Sequence, residues 1–104
     1  MRPYSRARNV LLRAERYLAV GEGDARERVK RAYLRLRTLQ AEQLPPELRS
    51  EWQAIAREVT RYGPQKDRHG LVRNAVEHTL SRIRNKTARR IAERIYRMHA
   101  HLSH

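Results

Sequence analysis

The segment LVRNAVEHTLSRIRNKTARRIAERIYRMHAHL, residues 71–102, decides the fold, because its apolar stripe changes face halfway along. The first stripe comprises Val72, Ala75, Val76, Thr79, Leu80 and Ile83, and the second comprises Ala88, Ile91, Ala92, Ile95, Met98 and Leu102. At about 100° per helical residue, the second stripe lies more than a quarter-turn from the first. A straight helix cannot present both stripes to one core, so RNKT, residues 84–87, is predicted to be a junction.

Two structures would satisfy these stripes. The helix breaks or bends near Asn85, a residue type suited to either end of a helix. Alternatively, it runs straight, and its C-terminal half projects and packs on a second copy of the chain, as in the common symmetric homodimers. The candidate contacts in such a dimer are Ile91, Ile95, Met98 and Leu102.

Three shorter helices are predicted before this segment. The first follows a 3.6-residue apolar period to about Val20. The second begins after Asp24, which has a glutamate three residues later, as in a capping box. The third begins near Pro46, since proline suits a first helical turn, and a Gly-Pro pair at 63–64 ends it. No strand-like alternation is evident, and GPQKDRHG, residues 63–70, is predicted to be an irregular connection.

The chain is therefore predicted to be all-α, a small four-helix bundle whose last helix is long and bent or split near Asn85. Its length of 104 residues fits a single helical domain, residues 1–104. No apolar run approaches the roughly 20 residues of a membrane span. Residues 1–20 are rich in Arg, as in organellar transit peptides, but their stripe favours a first helix of the domain. Cysteine is absent, and the expected location is cytoplasmic, without a membrane contact.

Charge is the strongest signal in the composition, with a formal net charge of +13. Arg supplies 21 of the 24 cations, either because its planar fork binds phosphate or because the genome favours Arg codons. Residues 1–20 carry a net charge of +4 and residues 63–104 one of +7, whereas residues 46–62 are neutral. This uneven distribution is typical of a polyanion-binding surface, although solvated helix faces also produce it.

Seven cations lie between residues 82 and 97, where Glu93 is the only anion. Most of them share one helical face or its flank and have no partner nearby in sequence except the ordinary Glu93–Arg97 pair. Unpaired cations on one face bind a polyanion by releasing its counterions, and nucleic acid is the predicted polyanion. The candidate contacts are Arg82, Lys86, Arg89, Arg90, Arg94 and Arg97.

A second candidate anion site is the loop that carries Lys66, Arg68 and His69. These residues precede the predicted start of the last helix, whose backbone N–H groups favour an anion. Against nucleic-acid binding, the sequence contains no helix-turn-helix pattern, zinc-finger spacing or aromatic RNA-binding motif. Its five tyrosines mostly lie along the apolar stripes and are not interleaved with the cations.

No catalytic residue, cofactor, metal site or small-molecule substrate is predicted. No serine has the local pattern of a nucleophile, and there is no glycine-rich phosphate loop. On a helix, His101 and His104 share a side, but two histidines without a carboxylate make a weak metal site. The sequence therefore predicts a small basic binding module without enzyme activity. The alternative is a module for protein interaction or assembly, as a homodimer or with an acidic partner, whose basic face is merely solvated.

Overall fold

The structure, a computed structural model, describes residues 4–103. Within them the chain forms five α-helices, one 3-10 turn and one two-stranded hairpin. The elements are α1 (Ser5–Val20), α2 (Ala25–Leu36), a 3-10 turn (Ala41–Gln43), α3 (Pro46–Val59), β1 (Gln65–Asp67), β2 (Gly70–Arg73), α4 (Ala75–Arg82) and α5 (Asn85–Ser103). The predicted predominance of helix is confirmed, whereas the prediction of four helices without strands is wrong. No helix in this part of the chain has the length and apolarity that crossing a bilayer requires.

The core lies mainly between α1, α2 and α5, which pack together. Each of these helices buries a stripe of period 3.6, because its apolar side chains recur on one face. The fully buried large side chains include Leu11, Leu36, Ile91, Ile95 and Met98. Leu12 and Leu34 lie outside these buried stripes and are exposed.

The turn between α1 and α2 is fixed by polar contacts. The Asp24 carboxylate accepts a hydrogen bond from the Glu27 backbone N–H at 3.1 Å, so the predicted N-cap is confirmed. Arg28 donates to the carbonyl oxygen of Gly23 at 3.2 Å and bridges the turn. The two helices are therefore joined by a tight turn and pack together as a helical pair.

The predicted break in the last segment is confirmed. Helix α4 ends at Arg82, Ile83 is extended with φ of −84° and ψ of 159°, and α5 begins at Asn85. The two-residue junction of Ile83 and Arg84 changes the helix direction, so both apolar stripes reach the core. Ile83 itself is buried at the junction.

The break also changes the role of the second stripe. Ile91, Ile95 and Met98 are at most 1% exposed and are covered by the chain's own helices, mainly α1 and α2. Leu102 is partly buried and packs against the same core. The expectation that these residues present a surface to a second copy is wrong, because that expectation required a straight helix.

The hairpin occupies residues that were expected to be a loop and a first helical turn. Lys66 pairs with Leu71 and Asp67 with Gly70 in an antiparallel ladder. Gly70 has a φ of +116°, a conformation that favours glycine. All seven strand residues are exposed, and the strands pack mainly on each other, without substantial packing on any described helix. The hairpin is thus an arm attached at its base.

Helix α4 begins later than predicted. The Asn74 side chain accepts a hydrogen bond from the Glu77 N–H at 2.9 Å and caps the helix immediately before Ala75. Leu71 and Val72, expected at the start of the last helix, lie on β2 with 64% and 52% of their surface exposed.

Candidate nucleic-acid interface

Arg94 does not belong to an open cationic face. Its Nε donates to Glu51 Oε1 at 2.8 Å, and its Nη1 and Nη2 contact Glu58 and Glu51, both on α3. Partial burial lowers the pKa of Arg94, but the hydrogen bonds and charges of the two carboxylates outweigh that effect and raise it. Arg94 has no partner nearby in sequence, as expected, but tertiary packing supplies two carboxylates that lie 43 and 36 residues away. Arg94 instead ties α5 to α3.

The remaining predicted cations on α5 differ in whether they form an ion pair. Arg97 lies 3.7 Å from Glu93 in the exposed pair expected from their spacing. Lys86, Arg89 and Arg90 are exposed, and none of them forms an ion pair within residues 4–103. These three cations form the open part of the predicted helix face.

Arg82 contributes to a different group, centred on Tyr62. The Arg82 guanidinium lies 4.9 Å from the centre of the Tyr62 ring, and that of Arg61 lies 4.8 Å from it. Arg61 also donates to the Tyr62 hydroxyl at 2.8 Å. This hydrogen bond, and then the charge of Arg61, lower the pKa of Tyr62. Two guanidiniums therefore border an exposed aromatic ring, in contacts of the cation–π type.

The position of Tyr62 is set by α4. Its backbone N–H donates to the hydroxyl of Thr79, a fully buried residue, at 3.1 Å. His78 Nδ1 lies 2.9 Å from the carbonyl oxygen of Gly63, and the His78 ring centre is 6.0 Å from that of Tyr62. These contacts fix the base of the hairpin, which begins two residues after Gly63.

The hairpin carries the second predicted set of cations. Lys66, Arg68 and His69 are exposed on β1 and its turn, and Arg73 is exposed on β2. The Asp67 carboxylate accepts a hydrogen bond from the His69 N–H at 2.7 Å and orders the turn. The predicted cations are therefore displayed by a ribbon, not beside a helix N-terminus, since α4 starts only at Ala75.

The hairpin surface comprises residues 65–73 together with Arg61, Tyr62 and Arg82. This surface brings together Arg82, a member of the cation set predicted on the last helix, and the cations predicted on the loop, two sets that the sequence did not connect. Sequence reasoning missed Tyr62 because its 3.6-residue spacing placed it on the apolar stripe of α3. The one sequence feature that could have indicated a role for Tyr62 beside a cation is the adjacent Arg61-Tyr62 pair immediately before Gly63-Pro64.

A second tyrosine, Tyr17, also lies among cations. Arg35 donates to its hydroxyl at 3.2 Å, and the Arg35 guanidinium is 5.7 Å from the ring centre. The hydrogen bond and charge of Arg35, followed by the charges of Arg31 and Arg13, lower the pKa of Tyr17. The expectation that tyrosines are not interleaved with cations is therefore wrong for Tyr17 and Tyr62.

The histidines near the C-terminus contact carboxylates of other helices. His99 contacts Glu15 of α1, and His101 Nε2 lies 3.2 Å from Glu47 Oε1 of α3. His104 lies outside the described residues. Among residues 4–103, no three side chains of the metal-ligating types are grouped to hold an ion.

Comparison of this chain with models of protein families, with characterised proteins and with solved structures gives no match.

Proposed function

We propose that this protein is a nucleic-acid-binding module without catalytic activity, and that it binds a duplex through the hairpin surface. The observation that carries the proposal is a ribbon whose seven strand residues are all exposed and whose Lys and Arg side chains form no ion pair within residues 4–103. An isolated two-stranded hairpin is at best marginally stable in water, so a partner surface would stabilise it.

The dimensions of the hairpin support a duplex as that partner. Two paired strands lie roughly 4.8 Å apart, and the major groove of B-form DNA, about 12 Å wide, admits such a ribbon. In this arrangement the tip, with Arg68 and His69, enters the groove. Arg61 and Arg82, which both border Tyr62 at the hairpin base, contact phosphates at the groove edge.

Lys86, Arg89 and Arg90 would add contacts to flanking phosphates. Since these side chains have no ion pair in the described part of the chain, binding breaks no existing salt bridge. Arg94 is excluded from the interface because Glu51 and Glu58 already hold it. Phosphate contacts of this kind give affinity without sequence specificity.

The test is a comparison of two variants with equal charge. Replacing Lys66, Arg68 and Arg73 with Gln removes three charges from the hairpin, and replacing Arg6, Arg37 and Arg57 with Gln removes three from exposed sites elsewhere. Fluorescence anisotropy of a labelled 20-base-pair duplex would be measured between 50 and 300 mM salt. We expect the hairpin variant to lose about three units of slope in log affinity against log salt, about one for each phosphate contact removed.

The matched variant is expected to keep nearly the wild-type slope. Equal losses in the two variants would mean that the charge of +13 acts generically, and the proposal would be abandoned. A variant in which residues 66–72 are replaced by a short Gly-Ser linker serves as a folding control. Because the strands pack mainly on each other and not substantially on any described helix, this variant should keep the wild-type melting temperature while losing affinity for the duplex.

A second candidate function is binding of a protein partner, and the exposed apolar pair Leu71 and Val72 favours it. The outer edges of a two-stranded hairpin can accept a further strand from an acidic partner or from a second copy. If the chain assembles in this way, changing Leu71 to Ser and Val72 to Thr should convert a dimer into a monomer in analytical ultracentrifugation. A wild-type protein that sediments as a monomer at 100 µM would argue against self-assembly, leaving only the acidic partner.

A further inference from the structure

The helical pair formed by α1 and α2 carries two adjoining depressions that the proposed duplex interface does not use. The first has a volume of about 500 Å³ and is lined by Arg13, Arg16, Tyr17, Val20, Glu22 and Arg31, with Gly21 at its edge. The second has a volume of about 490 Å³ and is lined by Tyr17, Glu27, Lys30, Arg31, Leu34 and Arg35. Tyr17 and Arg31 line both depressions, so the two lie next to each other.

The lining combines three chemical features at one place. Tyr17 offers an aromatic ring, and Arg35 fixes its hydroxyl by a hydrogen bond of 3.2 Å. Val20 and Leu34, 80% and 37% exposed, add apolar surface beside the ring. The surrounding cations produce a positive potential, and their charges contribute to the lowered pKa of Tyr17.

We propose that these two depressions form a binding site for a nucleoside phosphate, with the base stacked at Tyr17 and the phosphate held by Arg31 and Arg13. Bases stack on tyrosine without regard to sequence, and guanidinium forks bind phosphate oxygens in pairs. Glu22 and Glu27 accept hydrogen bonds from ribose hydroxyls or base amino groups, which inorganic phosphate lacks. Cavities of about 300 to 1,000 Å³ hold ligands of this size.

The ligand is either a free nucleotide or one unit of a single strand, since both present a base next to a phosphate. The site differs from the hairpin surface in its residues and in its expected ligand, so it does not depend on the proposed duplex binding. Its cations, Arg13, Arg16 and Arg31, are exposed and carry no ion pair among residues 4–103.

The experiment uses the full chain and ATP labelled on the ribose with a methylanthraniloyl group, followed by fluorescence anisotropy at 150 mM salt. Unlabelled ATP, inorganic triphosphate and an eight-residue oligothymidylate serve as competitors. We expect ATP or the oligonucleotide to compete at least about tenfold better than inorganic triphosphate, because only they supply a base for Tyr17. The competitor that binds more tightly identifies the source of the ligand.

Variants connect the binding to the site. Tyr17→Leu, which keeps an apolar side chain, and Arg31→Gln are each expected to weaken binding of the better competitor at least about tenfold. The matched controls are Tyr62→Leu, which removes the other tyrosine bordered by guanidiniums, and the variant lacking the three hairpin charges; both should retain binding within about twofold. Equal competition by triphosphate, or equal affinity of Tyr17→Leu and the wild type, would overturn the proposal.

Discussion

Replacing Ile95 with Asp is expected to unfold the domain, not to change its oligomeric state. Ile95 is fully buried where α5 packs on α1 and α2. The substitution removes a buried aliphatic side chain, at a cost of about 2 to 5 kcal/mol, and introduces a carboxylate without a partner. Together these effects approach the whole free energy of unfolding of a small domain, about 5 to 15 kcal/mol. Circular dichroism during heating would show the loss of a cooperative transition.

Ala100→Asp provides the matched control, because Ala100 is exposed on the same helix. It adds the same carboxylate and is expected to change the free energy of unfolding by no more than about 0.5 kcal/mol. Light scattering after size-exclusion chromatography would complete the comparison. A folded monomeric Ile95→Asp variant of a dimeric wild type would contradict the described core and restore the dimer interpretation of the second stripe.

Replacing Arg94 with Met is expected to lower the free energy of unfolding by about 1 to 3 kcal/mol. Arg94 is the cation between Glu51 and Glu58, and without it the two carboxylates of α3 face each other against α5. The expected loss lies below that of a deeply buried pair because Glu51 and Glu58 are about one-third or more exposed. Chemical denaturation with urea would measure it.

Two further variants separate the ion pair from the side-chain packing. Arg90→Met removes an exposed Arg one turn earlier and should change stability by no more than about 0.5 kcal/mol. Adding Glu51→Gln and Glu58→Gln to Arg94→Met should recover most of the loss, since the uncompensated charges are then gone. If Arg94→Met and Arg90→Met were equally stable, Arg94 would have no role in holding α3.

The parts of the fold that could be predicted are those that depend on short-range patterns in the sequence. The change of face near Asn85 predicted the break, because two stripes that are rotated relative to each other cannot serve one core through a straight helix. Asp24 was identified as an N-cap because its side chain and the backbone N–H that donates to it lie three residues apart in the sequence. Both features depend on residues within a few helical turns.

The hairpin could not be predicted in this way. Strands are recognised by alternation between a buried and an exposed face, and neither face of this hairpin is buried. Leu71 and Val72 were instead assigned to the beginning of the last helix. Their apolar side chains suit a buried helical stripe as well as a strand, so residue type alone does not distinguish the two.

The candidate site was also only partly accessible from sequence. Counting charges within four residues found the Glu93–Arg97 pair but not the partners of Arg94, which tertiary packing brings from α3. Tyr62 meets Arg82 only because α4 docks beside the end of α3. Such contacts depend on the arrangement of whole helices, so no local sequence pattern predicts them.

The hairpin arm has a consequence for how this molecule can change. Its strands make no substantial packing contact with a described helix, and its base is fixed by Tyr62, Gly63 and α4, outside the strands themselves. Insertions, deletions and new side chains in residues 65–73 would therefore be nearly neutral for folding while altering what the arm touches. Mutational tolerance should be concentrated there, which makes this arm the natural place for grafting a foreign recognition loop onto the helical scaffold.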